Sequence, residues 1–232
     1  MKLSVFLITL FFLLKIAPVP AQTYMVKKIP GKVMQITGRG DNPAWKKAVN
    51  LTDFSYPWEK EKAPATSFSA LWDGDWLYCL YQAKDDSVIT VINKNDKLEI
   101  GACDRVEIFM MRDSTMLPYY YCLEMDATAR VLDYRASFYR KMDYSWKWPG
   151  DQFIIKTAAV PGGYIVEIAI SIQSLTELGL LQNKQLLAGL FRAERKSMKE
   201  GTAGLHWISW VKPNSAKPDF HIPSAFGILA LE

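Results

Sequence analysis

Two kinds of side chain could do chemistry in this 232-residue chain: aromatic rings in turns and carboxylates in strands. Tyr56, Trp58, Trp146, Trp148, Trp210 and Phe220 fall in turn-like segments. Flat apolar rings with a polar edge suit the C–H faces of sugar rings, and neighbouring Arg, Glu and His supply hydrogen bonds to hydroxyls. Glu107, Glu124 and Glu167 lie in strand-like runs. A hydrolase needs a positioned carboxylate pair or a nucleophile with its base, and spacing alone brings no two of these together. With two histidines, both towards the C-terminus, and no Gly-x-Ser-x-Gly, a nucleophilic triad has little support. Binding without catalysis is the better expectation.

Short oxygen-bearing side chains surround the apolar run Val88–Ile92: Asp85, Asp86, Asn93, Asn95 and Asp96. Hard cations such as calcium take oxygen ligands of this kind, so Asp85, Asp86 and Asp96 are the candidate ligands of a structural calcium, although no calcium-loop spacing accompanies them. Cys79, Cys103 and Cys122 allow one internal disulfide at most. Cys79 and Cys122 sit in apolar runs as small buried side chains, and Cys103 is the candidate free thiol. Without Cys-x-x-Cys, zinc has almost no support.

The elements that must position these residues are strands. Thr66 to Asp86 reads as two apolar runs joined at Asp73-Gly74-Asp75, a β-hairpin whose glycine supplies positive φ. On its returning run Leu77, Cys79, Tyr81 and Ala83 share one face, with Trp76, Tyr78 and Leu80 on the other. A strand apolar on both faces is covered on both sides. Asp104–Met110 alternates, with Val106, Ile108 and Met110 opposite Arg105, Glu107 and Phe109, which predicts a half-buried strand charged on one side. Phe153–Val160 and Tyr164–Ile170 flank Pro161-Gly162-Gly163 as a second hairpin. Ser171 as N-cap and Gly179 as terminator bracket one short helix. Further strands are expected at Val33–Thr37, at Tyr119–Met125, at Ala129–Tyr134 and in the C-terminal third. Trp45 and Ala48 are expected on a helical turn that plugs the core. Turn signals every 8 to 15 residues then predict an all-β fold, an antiparallel β-sandwich of about ten strands with one short helix.

Met1-Lys2, the apolar run Leu3–Leu14 and the small-residue approach to Ala21 predict a secretory signal over residues 1–21. The remaining 22–232 reads as a single domain, with no internal repeat or linker. Export to the periplasm or the exterior follows from that reading, and no membrane span remains after cleavage. Without Lys2 and Lys15 the 28 basic residues become 26 against 24 acidic, which argues against nucleic acid as a partner. Nothing in the residues sets an oligomeric state. The Arg39-Gly40-Asp41 triplet needs no reading beyond a turn, and Asn50-Leu51-Thr52 matches a glycosylation acceptor.

Leu71-Trp72-Asp73 with Trp76-Leu77-Tyr78, Asp104-x-Val-Glu-Ile-Phe109, Gly163-Tyr-Ile-Val-Glu-Ile-Ala-Ile170, Ile208-Ser-Trp210 and Pro223-x-x-Phe226-Gly227 occur in that order. Together they resemble the family 9 carbohydrate-binding modules over about Gln35 to Glu232. The resemblance implies a β-sandwich with structural calcium, an oligo- or polysaccharide partner and no catalysis. Members of that family carry a Trp three residues before the Asp of the second motif, where this chain has Gly101. They carry another six residues before the Phe-Gly pair, where this chain has Phe220. Glu107 and Arg130 match polar sugar contacts of the family. The candidate carbohydrate-binding residues are therefore Glu107, Arg130, Trp146, Trp148, Phe220 and His221. Two other classes stand beside this one. Related sandwiches of the DOMON type hold haem, for which Met110, Met111, Met125, His206 and His221 would be the ligands. A glycan-active hydrolase would depend on Glu107.

Overall fold

The computed structural model describes residues 22–31, 34–199 and 204–232. The signal-like segment 1–21 lies outside them, as does Val33 of the expected first strand, and Met34–Thr37 is irregular rather than extended. The described strands are β1 (Thr23–Lys28), β2 (Thr66–Trp72), β3 (Trp76–Lys84), β4 (Arg105–Met111), β5 (Tyr120–Asp126), β6 (Val131–Ser137) and β7 (Lys141–Asp143). They continue with β8 (Phe153–Val160), β9 (Gly163–Ser171), β10 (Leu181–Gln182), β11 (Gln185–Arg195), β12 (Leu205–Ser209) and β13 (Gly227–Leu231). The helix α1 (Ile172–Glu177) follows β9, with Ser171 Oγ accepting from the Ser174 amide at 2.9 Å and Gly179 at φ +69° beyond its end.

These strands form one curled sheet in the order β7-β6-β5-β4-β11-β13-β1-β2-β3-β9-β8, with β10 and β12 pairing to β11. The sheet is mixed, not the antiparallel sandwich expected. Thr23–Val26 of β1 pairs in parallel with β13, and Lys27 and Lys28 pair in parallel with β2. One strand thus joins two runs that are otherwise antiparallel and makes them continuous.

The curl closes on a common core. Val106, Ile108 and Met110 of β4 pack with Leu77, Cys79 and Tyr81 of β3 and Val166, Ile168 and Ile170 of β9. The opposite face of β3 carries Tyr78 and Leu80, covered by Met34 and Trp45, which accounts for its two apolar faces. The 3₁₀ turn Pro43–Lys47 that presents Trp45 is held from below. Glu167 of β9, fully buried, accepts from Trp45 Nε1 at 2.7 Å, from the Thr37 amide at 2.8 Å and from the Gly38 amide. The outer face of β4, β5, β6 and β11 is the one that matters for function. It carries Phe109, Tyr120, Cys122, Tyr134 and Phe191, and the segment ending in Phe220 and Phe226 lies over it.

Candidate functional site

Period-2 alternation turns Arg105, Glu107 and Phe109 of β4 to the outer face, and register sets Glu124 of β5 directly opposite Glu107. Over this face lies a cavity of about 260 Å³. Its floor is Arg105, Glu107, Glu124 and Tyr134, and its aromatic wall is Trp58, Trp207 and Phe220. Leu98, Arg140 and Tyr144, all exposed, line it as well, together with Asp219 and His221 of the C-terminal loop.

The floor is an ionic cluster withdrawn from water. Arg105 Nε donates to Glu124 Oε2 at 2.6 Å and lies 2.9 Å from Glu107 Oε1. The single Nε–H serves Glu124, so Glu107 Oε1 is buried without a hydrogen bond. Tyr134 donates to the other Glu124 oxygen at 2.8 Å. Burial first, then the charge of Glu124, pushes the Glu107 carboxyl up to about 8, with Arg105 opposing. A Glu107 carboxyl biased towards its neutral form beside the Arg105 guanidinium gives the floor both donors and acceptors. His221 is neutral as well. Burial and then the Arg140 charge push it down to about 4, and its Nδ1 lies 3.0 Å from the Tyr120 hydroxyl.

The wall is built by stacking. Phe220 lies flat on Phe191 at 3.9 Å and 6°, so its other side meets Trp58 at 5.5 Å and the edge of Trp207 at 5.8 Å. Trp58 is held through Nε1 to the Ser215 carbonyl at 2.9 Å, and Arg105 lies over Trp207 at 5.5 Å. Both indoles are half-buried, whereas Phe220 is buried. Gly101 lies on the cavity wall with open space where a Cβ would stand.

Of the residues expected to bind sugar, Glu107, Phe220 and His221 line this cavity. The other three do not. Trp148 is buried in the inner core with Nε1 donating to Ser174 Oγ at 3.2 Å, and Trp146 packs against it at 5.7 Å. Arg130 is a strut. It donates to Asp126 Oδ2 from Nε at 2.8 Å and Nη2 at 2.6 Å, and to the Val91 carbonyl at 2.9 Å, clamping the 88–103 segment to the β5–β6 turn. Trp210 is buried in the inner core too. Arg105, Glu124, Tyr134, Trp207 and Asp219 were not foreseen as site residues. For Arg105 a signal existed, since it shares the alternation of Glu107.

The carboxylates considered for calcium do not converge. Asp85 Oδ2 takes a hydrogen bond from Arg192 Nη2 at 2.9 Å, and Asp96 Oδ1 caps the 3₁₀ turn Lys97–Ala102 through the Leu98 amide at 2.9 Å. Among the described residues no three His, Cys, Asp or Glu side chains gather as a metal group. The three cysteines are buried and unpaired, Cys103 included. The haem reading finds its ligands dispersed: Met110 and Met125 are in the inner core, and His206 Nδ1 lies 2.8 Å from Glu59. Glu167, considered for hydrolysis, anchors the segment that bears Trp45. Glu107 and Glu124 rise from one floor onto one guanidinium.

Residues 36–232 match the model of the family described as carbohydrate family 9 binding domain-like. A proposed carbohydrate-binding protein from Bacteroides uniformis is similar in structure, with TM-score 0.71 at 18% identity over 91% of this chain and 100% of that one. A family 9 carbohydrate-binding module from Caldicellulosiruptor kristjanssonii in complex with glucose gives TM-score 0.56 at 18% identity, covering 91% and 96%. Its complex with cellotriose gives 0.55 at 18%, covering 91% and 94%. At this identity the structures establish likeness of fold. No curated protein matches the sequence. Among the described residues no helix is long and apolar enough to cross a membrane.

Proposed function

This chain belongs to the carbohydrate family 9 binding domain-like family, and on that premise we propose that it binds glycans in the cavity over β4, β5 and β6 without cleaving them. The observation that supports the reading is the pairing of a half-buried indole wall, Trp58 and Trp207, with a floor of Arg105, Glu107 and Glu124. Rings take the C–H face of a sugar, and the floor exchanges hydrogen bonds with its hydroxyls.

The role fits carbohydrate capture outside the cytoplasm, periplasmic or extracellular, which rests on the signal-like residues 1–21. Affinity should be modest, on the order of 10 μM to 1 mM, because a small partly polar ligand exchanges protein contacts for water contacts. Calorimetric titration against a panel of plant, algal and host glycans tests the reading. Saturable binding that Trp207→Ala weakens supports it, and no binding to any of them overturns it. A hydrolytic reading would require turnover that Glu107→Gln abolishes.

A further inference from the structure

Aromatic rings exposed by more than a third are confined, among the described residues, to Phe138 at 43%, Tyr139 at 49% and Tyr144 at 42%. All three belong to the β6–β7 hairpin and the residues just after it. Every other described ring is buried or partly covered. Scattered exposed apolar side chains are ordinary, but exposed rings restricted to one edge of a candidate binding cavity are not scattered.

The hairpin tip is tied to that cavity. Arg140 and Tyr144 line it, whereas Tyr139 stands one residue outside. The Tyr139 hydroxyl donates to Asp219 Oδ2, and Arg140 Nη1 reaches Asp219 Oδ1 at 3.2 Å. Asp219 also accepts from the His221 amide at 2.9 Å and lines the cavity itself. Tyr139 is therefore an open ring held by a bond to the cavity rim, packed on its other side by Phe138 at 5.3 Å. A ring immobilised before the ligand arrives loses little conformational freedom on binding.

The cavity itself is small. Its volume of about 260 Å³ is below the roughly 300 to 1,000 Å³ usual for small-molecule sites. Leu98, Arg140 and Tyr144 are among its exposed lining residues, and two of the three belong to the β6–β7 hairpin or follow it directly.

We propose that Phe138 and Tyr139 form a second saccharide-contacting surface beside the cavity, so that a ligand of more than one unit gains a stacking contact on the Tyr139 ring. This inference rests on the glycan-binding reading above, and adds to it the hairpin tip as a contact for a further sugar unit.

The test is calorimetric titration of matched mono- and trisaccharides of glucose, mannose, galactose and xylose against the wild type, Tyr139→Ala and Tyr139→Phe. The wild type should bind the trisaccharide of its preferred sugar roughly threefold to tenfold more tightly than the monosaccharide. Tyr139→Ala should remove that difference and leave the monosaccharide constant within about twofold. Tyr139→Phe keeps the ring but not the bond to Asp219, and should retain part of it. Equal affinity for both lengths in the wild type overturns the inference while leaving the glycan-binding reading standing. So does a Tyr139→Ala variant that keeps the full difference or weakens both ligands alike. Absence of all saccharide binding overturns both readings together.

Discussion

Glu107 and Glu124 face each other across the β4–β5 ladder and share one nitrogen, Arg105 Nε, at 2.9 and 2.6 Å. Only Glu124 takes its proton in a hydrogen bond. The asymmetry makes Glu107 the member that stays protonated, because its ionisation would place a second, weakly compensated charge in the floor.

Stability should therefore depend on pH in a defined sense. Glu107 titrates near 4.3 in an unfolded chain and about 8 here, so its favourable contribution is complete below about 4.3 and lost as pH rises through about 8. Burial pushes Asp104 up to about 7, which acts in the same direction. His221 acts oppositely: its contribution is complete above about 6.5 and lost as pH falls through about 4. Thermal melts should show the melting temperature declining from about pH 5 to about pH 8 and levelling above it, with Glu107→Gln flattening that limb. An unchanged alkaline slope in Glu107→Gln would contradict the assignment.

The indoles separate into two classes that a sequence cannot distinguish. Trp207→Ala and Trp58→Ala should each weaken saccharide binding by about 1 to 2 kcal/mol, near the cost of an aromatic contact with its buried area. Trp148→Ala should instead cost about 3 kcal/mol or more of stability, since it empties a core site and orphans the Ser174 hydroxyl contact. Titration and urea unfolding of the three variants check this. Equal loss of affinity in Trp148→Ala under folded conditions would reverse the assignment.

The contrast marks how far residues in order reveal a fold and its site. Hairpins β2–β3 and β8–β9, α1 and the alternation of β4 were legible because each is written in neighbours: turn glycines, a serine cap, period-2 apolarity. The parallel pairing of β1 with β13 was not, since its partners lie some 200 residues away and a parallel pair leaves no turn between them. Glu107 was legible as a charged residue on an alternating strand. Its burial was not, because the loop that covers it, Pro218 to His221, is brought there by tertiary packing. Trp148 and Trp58 both read as loop rings, and only the fold turns one inward. Arg130 matched a motif position, yet its neighbour Asp126 holds it.

Gly101 offers a gain-of-function test. It lines the cavity, and no heavy atom lies within 4 Å of where its Cβ would be. A Trp here restores the ring that related modules carry at the matching position. Gly101→Trp should fold normally and tighten binding by about 0.5 to 1.5 kcal/mol, the range for an added aromatic contact. Titration beside the wild type measures it. A loss of binding would mean that the ring fills the cavity rather than walls it.

Glu167 lies on the other half of the sheet and carries a different kind of weight. Its buried carboxylate accepts from the Trp45 indole and from the amides of Thr37 and Gly38, and with them holds segment 37–45 against β9. Removing it leaves those donors without acceptors in a dry setting, at about 1 to 3 kcal/mol each before relaxation. Part of that penalty is recovered if the segment lifts and its amides reach water. Glu167→Ala should therefore destabilise by about 3 to 5 kcal/mol, and Glu167→Gln by less, because the amide oxygen can still accept from one donor. Urea unfolding measures both. The proposed saccharide cavity lies over β4, β5 and β6, so at temperatures where Glu167→Gln is folded its saccharide affinity should match the wild type. A variant that stays stable but loses binding would show that Glu167 serves the ligand rather than the fold.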